Sequence, residues 1–151
     1  GYEIGNHTLW HANLSRYPPE VVQKQLATAQ QWIQGHVPGY RPRTLALPLG
    51  AYPRTLQWAV TGGHNGSTYR HDAILMVSGG PAPSPHSRAF EPYRLPRIQA
   101  VESEINRWLD HFDRHPEERY VSDGDPATLT IPRGAGAKLR PNLPLKIIER
   151  P

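Results

Sequence analysis

Proline and glycine set the strongest limit on this chain. Its 151 residues include 17 Pro and 13 Gly, about one residue in five, against roughly 12% in average usage. Proline breaks helix interiors and removes a ladder donor from strands. Long regular elements are therefore excluded over most of the sequence. The density falls short of the quarter or more that marks low-complexity disorder, so a folded chain of short elements and long, turn-rich connections is expected. The length suits one domain.

Two segments escape the interruptions and show helical period. Over Pro19–Gln34 the apolar residues are Val22, Leu26, Ala29 and Ile33, widened by Val21 and Trp32, with Gly35 as the expected exit. Over Arg97–His111 an apolar face is formed by Ile98, Val101, Ile105, Trp108 and Leu109, continued by Phe112, with Pro96 at its start and Pro116 beyond its end. A shorter helix is expected over Thr55–Val60, ended by Gly62-Gly63. Trp32, Trp58 and Trp108 lie on these helical faces and are expected in the core.

Three short apolar runs read as strands: Thr44–Leu47, Ala73–Val77 and Ala127–Ile131. The first two resemble buried parallel strands. The alternation of strand, loop and helix argues for an α/β fold. Three strands cannot close a barrel, however, and leave open edges. Either the sheet is small and open or a neighbouring segment completes it. Residues 78–97 form the longest connection, read equally as a functional loop or a rigid Pro-rich link. The stretch after Gly134 has little pattern, and either wraps the surface or adds a further element.

Composition excludes several functions. With no cysteine, disulfides, thiolate metal sites and cysteine nucleophiles are ruled out. No run approaches the ~18 apolar residues of a membrane span. The net charge of +4 does not indicate nucleic-acid binding, because its densest basic group, Arg41, Arg43 and Arg54, is broken by Pro42, Pro48 and Pro53. Anionic polymers such as cell-wall glycans suit the charge equally.

The most informative stretch is Glu3-Ile4-Gly5-Asn6-His7-Thr8-Leu9-Trp10-His11. On a helical turn, His7 and His11 share one face and both imidazoles reach one metal. A bare His-x3-His pair is as often coincidence as site. Gly5 permits close backbone approach, and Asn6 bonds locally, as in a turn feeding a helix.

This stretch resembles the second motif of the polysaccharide deacetylase (NodB-homology) family, carbohydrate esterase family 4. The resemblance implies that His7 and His11 bind a divalent metal, most often Zn2+, and that Thr8 helps orient the site. Thr44-Leu45-Ala46-Leu47-Pro48-Leu49-Gly50-Ala51-Tyr52-Pro53 is similar to the family's third motif, a strand ending in Arg-x-Pro-aromatic-Gly. Pro48 and Gly50 match. Ala46 stands in place of the Arg that orients a catalytic carboxylate, and Leu49 in place of the aromatic. Arg97 or Arg88 is then the candidate guanidinium. The Pro48–Gly50 backbone is a candidate oxyanion donor as well as a tight turn. Tyr52 and Trp10 are candidate substrate contacts, although Trp10 reads first as a core or site-wall residue. His86 is the candidate for the family's late acid.

The resemblance is specific over residues 1–53 and weaker beyond, where Tyr120–Pro126 is similar to a subgroup of the family. Asp123 and Asp125 there read as a turn before a calcium site. His64 and His71 flank the turn signal Asn65-Gly66-Ser67 and are expected to be exposed. No run matches the family's first motif, Thr-Phe-Asp-Asp, which supplies the third ligand and the general base. The resemblance thus implies the C-terminal portion, residues 1–151, of a distorted (β/α)7–8 barrel whose catalytic Asp lies upstream of Gly1. The implied activity is removal of acetyl groups from N- or O-acetylated polysaccharide by an extracytoplasmic or cell-envelope protein, its fold completed by an upstream segment. The alternative is a non-catalytic carbohydrate-binding relative with a degenerate site.

Overall fold

A computed structural model describes residues 2–119 and 122–150. These form two compact units, Gly1–Pro81 with Glu91–Ile98, and Ala82–Phe90 with Gln99–Pro151. The long connection around residues 78–97 is thereby divided between them.

The first unit is organised by helix α1, Pro19–His36. Pro19 occupies the first helical position, where its missing N–H costs nothing. Val22, Leu26, Ala27 and Ala29 are buried along one face. The helix passes through Gly35 rather than ending there, and the chain reverses at Gly39, whose φ is 78°. Trp32, expected in the core, is 62% exposed and stacks on His36 with ring centroids 4.0 Å apart.

Strands β1 (Thr44–Ala46) and β4 (Ala73–Leu75) pair in parallel, Leu45 opposite Ile74, as their apolar runs predict. Parallel bridges extend this pair on both sides, Asn6 to Leu45 and Leu95 to Leu75. The order across the sheet is therefore Asn6, β1, β4, Leu95. Leu14, Val22, Leu26, Leu45, Leu47, Ala59, Ile74 and Tyr69 make the core. The fold of this unit is mixed α/β, and no closed barrel is present among the described residues.

Between the parallel strands lie α2 (Gln57–Val60) and a hairpin of β2 (Thr61–His64) and β3 (Ser67–Arg70). Asn65 (φ 47°) and Gly66 (φ 81°) form its two-residue turn, the left-handed pair that tight hairpins need. Gly62 and Gly63 do not end a helix; they lie inside β2. A Cβ on Gly62 would stand 2.5 Å from the Tyr69 hydroxyl, so glycine leaves room for Tyr69, which donates to Trp58 O. Burial pushes the Tyr69 hydroxyl pKa up, which keeps it a donor. His71, expected at the surface, is fully buried.

The second unit contains α3 (Glu102–Arg114) and a parallel pair, β5 (Thr128–Pro132) with β6 (Lys146–Arg150). The helix begins five residues later than its apolar pattern suggests. Leu95 instead pairs with β4, its N–H donating to Ile74 O at 2.9 Å, and Arg97 Nε donates to Met76 O. Both residues are claimed by the first unit. No residue of α3 is buried; Ile105 is 40% and Leu109 57% exposed. Trp108 is half-buried on α3, and Trp58 borders the first unit's core. Strand β6 gives the patternless tail a further element. The 82–90 segment is tied within its own unit by Arg140, which donates to Ser87 O (3.0 Å) and Phe90 O (2.6 Å).

Candidate metal centre

The site is built at the C-terminal ends of the parallel strands, where open α/β sheets place their ligands. Asn6 N donates to Thr44 O at 2.7 Å, and Ala46 N donates to Asn6 O at 2.9 Å. Gly5 permits this approach, because a Cβ there would lie 2.8 Å from Thr44 Oγ1. His7 thus leaves the sheet edge beside the end of β1.

No helix carries His7 and His11. The chain instead turns through two left-handed residues, Thr8 (φ 64°) and His11 (φ 54°). Such positions cost of order 1–3 kcal/mol each and persist where the surroundings impose them. Here three anchors do so. Fully buried Asn6 accepts from Thr8 N at 2.9 Å and donates to Leu26 O at 2.9 Å. Thr8 Oγ1 accepts from Ala12 N at 3.0 Å, and buried Gln25 accepts from Trp10 N at 3.0 Å.

The result brings both imidazoles together, ring centroids 4.9 Å apart at 71°. His7 Nδ1 lies 2.8 Å from Ala46 O. A carbonyl only accepts, so Nδ1 carries the proton, and in the neutral ring Nε2 is the free ligand atom. That is the tautomer of a metal-ligating histidine oriented by a backbone carbonyl. Both residues are exposed. A turn rather than the expected helix thus holds the two rings close. Among the described residues, no third His, Asp or Glu joins this pair within reach of one ion. The donor set fits half of a zinc shell.

The other expected site residues fall as follows. Pro48–Gly50 forms a 3-10 turn two residues beyond Ala46, with Leu49 and Gly50 left-handed (φ 57° and 65°). Gly50 N and Ala51 N are bonded back to Leu47 O (3.2 Å) and Pro48 O (3.0 Å). Tyr52 is half-buried, its hydroxyl donating to Tyr93 O at 2.8 Å. Burial raises its pKa, outweighing nearby Arg94. Trp10 belongs to neither core nor wall; it is 63% exposed, with Lys24 Nζ 5.5 Å from the ring centroid. A shallow groove beside His7 is lined by Gly5, Thr8, Leu9, Ala29, Trp32 and Ile33. Arg97 sits at the end of β4 in the same unit. His86 and Arg88 belong to the second unit, where Arg140 N donates to His86 O at 2.8 Å and Arg88 Nε to Leu139 O at 2.6 Å.

Asp123 and Asp125 form a turn. Asp123 accepts from Thr130 Oγ1 (2.7 Å), Thr128 Oγ1 (2.8 Å) and Asp125 N (3.2 Å), and the two hydroxyls hold its pKa below the ordinary value. Tyr120 and Val121 of the same stretch lie outside the described residues. A group the sequence reading passed over lies at the end of α3: His111, His115, Glu117 and Glu118. Its signal was a second His-x3-His spacing, hidden inside a segment read only for its apolar face.

The first unit is a mixed α/β fold with a histidine pair at the carboxyl edge of its parallel strands. Residues 1–65 match the polysaccharide deacetylase family model. A chitooligosaccharide deacetylase of Bradyrhizobium sp. (strain ANU 289) is 36% identical over 52 residues, covering 34% of this chain and 24% of that protein. The chain thus matches about a quarter of the length of that relative. No solved structure matches the chain.

Proposed function

We propose that this chain is part of a metal-dependent hydrolase that removes acetyl groups from chitin-like oligosaccharides outside the cytoplasm. The observation that carries the reading is the paired His7 and His11, with His7 Nδ1 tied to Ala46 O, inside the family-matching segment. These residues would hold a divalent ion, most suitably Zn2+ given two imidazole donors. When bound, such an ion polarises an acyl carbonyl and lowers the pKa of water. The chain's own contributions are distinct. Ala46 O fixes the His7 tautomer. Exposed Trp10 offers a flat face on which a sugar ring can stack. The 48–50 turn leaves Leu49 N–H as the oxyanion donor, because Gly50 N and Ala51 N are committed to the turn. Arg97, in the same unit, is the proposed guanidinium, and the carboxylate base is the one the family's Asp motif supplies.

Zinc titration of the chain by calorimetry tests the pair. His7→Ala and His11→Ala should each raise the Kd at least tenfold, and unchanged affinity in both would exclude a shared site. Release of acetate from chito-oligosaccharides by the complete protein, abolished by EDTA, tests the reaction; release that persists in EDTA would sink it. A carbohydrate-binding relative without catalysis is favoured by one observation, Ala46 at the position of the family's Arg. Oligosaccharide binding by the complete protein without acetate release would select that reading.

A further inference from the structure

We propose that the end of α3 and the turn after it form a second site for a divalent transition-metal ion, with His115, Glu117 and Glu118 as ligands and His111 adjoining them. His111 lies in the last turn of α3 and His115 caps it four residues on, and their rings lie 4.8 Å apart, tilted by 34°. Pro116 stops the helix. The 3-10 turn Pro116–Glu118 then carries two carboxylates back toward the imidazoles. His111 Nε2 is 2.7 Å from Glu118 Oε2, and His115 Nδ1 is 3.3 Å from Glu117 Oε1. The donor atoms of His115, Glu117 and Glu118 all lie within 4.8 Å of one another.

The backbone beneath this cluster is tied at two points, His115 N to His111 O (2.8 Å) and Glu118 N to His115 O (3.0 Å). Ligands around tetrahedral zinc stand about 3.3 Å apart, given bond lengths of about 2.0–2.1 Å. Closing the cluster onto an ion therefore needs about 1.5 Å of side-chain rotation and no refolding. All four side chains are accessible, from 32% exposed at His111 to 58% at Glu117. One imidazole and two carboxylates, with a second imidazole alongside, offer mixed nitrogen and oxygen donors. That donor set selects Zn2+, Ni2+, Co2+ or Cu2+ over Mg2+ and Ca2+, which prefer all-oxygen shells. Bound there, the ion would link the C-terminal turn of α3 to the segment that follows. This site lies in the second unit and does not depend on the reading of His7 and His11.

The test is zinc calorimetry on the full chain carrying His7→Ala and His11→Ala, so that the first pair contributes nothing. One equivalent of Zn2+ should bind. Adding His115→Ala should raise its Kd at least tenfold, and adding the near-isosteric, exposed Glu118→Gln should do the same. A hundredfold excess of Mg2+ should not compete. Amide NMR of the same samples should confine the zinc-induced shifts to residues around 111–119 and confirm that each variant stays folded. Absence of zinc uptake in the His7→Ala/His11→Ala chain, or uptake indifferent to both further substitutions, would overturn the site and leave these contacts as surface hydrogen bonds.

Discussion

Replacing Asn6 by alanine probes how the first site is held. The Asn6 side chain is fully buried and makes two bonds, accepting from Thr8 N and donating to Leu26 O, both at 2.9 Å. Alanine removes both. A typical intramolecular bond contributes about 0.5–1.5 kcal/mol net, and a donor left buried without a partner costs about 1–3 kcal/mol. Leu26 O lies on α1 and keeps its position in the helical ladder, so its loss falls at the low end. Thr8 N–H is half-buried and left-handed, with no equivalent substitute, and falls higher. The expected total is about 2–4 kcal/mol. With a urea dependence of about 1–3 kcal/mol per molar, the midpoint for the first unit should fall by at least about 0.7 M, followed through the indole signals of Trp10, Trp32 and Trp58. The same change frees the 8–12 turn, so zinc affinity at His7 and His11 should drop about tenfold, the lower end of effects seen when a metal ligand's supporting contact is lost. Asn6→Asp separates the two bonds. It keeps the acceptor for Thr8 N–H but aims an anionic oxygen at Leu26 O, and should destabilise at pH 7 at least as much as alanine. A midpoint shift under about 0.3 M for Asn6→Ala, with zinc affinity intact, would refute the anchoring argument.

Two further outcomes follow from the core. Burial lowers the His71 pKa, and this outweighs the Ala59 carbonyl that accepts from its Nδ1 at 2.7 Å and the nearby Asp72 charge. The folded pKa therefore lies below the unfolded value of about 6.5. Above that value both states are neutral and stability is full. As the pH falls from it toward the folded pKa, the unfolded chain takes up the proton first, and stability declines by at most about 1.4 kcal/mol per pH unit. Urea titrations between pH 7 and 5 should show this slope, and His71→Gln should flatten it; parallel slopes would exclude His71 as the source. Gly62→Ala should cost about 1–3 kcal/mol by pressing on the Tyr69 ring, read as a lower melting temperature, whereas Gly66→Ala, with nothing within 4 Å of its Cβ, should lose only what its left-handed φ of 81° imposes.

The legible elements were those whose burial matches their period. Helix α1 shows its apolar face because that face meets the core, and β1 and β4 read as apolar runs because Leu45 and Ile74 are fully buried and their strand neighbours half-buried. Elements failed to read where a tertiary contact reversed a local preference. Gly62-Gly63 looks like a helix stop, yet it serves as strand because Tyr69 needs the space. His71 follows a polar turn and looks exposed, yet the residue after β3 passes into the core, with its N–H bonded to Val60 O at 2.8 Å. The face of α3 carries a clear period but no burial within the described structure, so its start was set by what claims Leu95 and Arg97 rather than by its own pattern.

The two histidine pairs show why spacing alone does not specify a site. His7 and His11 share the separation of His111 and His115, and each pair brings its rings within 5 Å. The second needs no left-handed residue: His111 lies in the last turn of α3 and His115 is the residue that caps it. The first is brought together through two left-handed residues, one of them β-branched Thr8, a conformation the sequence does not favour. That pair depends on Asn6, Gln25 and the Thr8 hydroxyl. Strain held in place by buried polar side chains marks a position where geometry has been kept against local preference. On this ground the N-terminal pair, although spaced no more suggestively than the other, is the one whose surroundings are built around it, and Asn6 is the residue through which that construction is most directly undone.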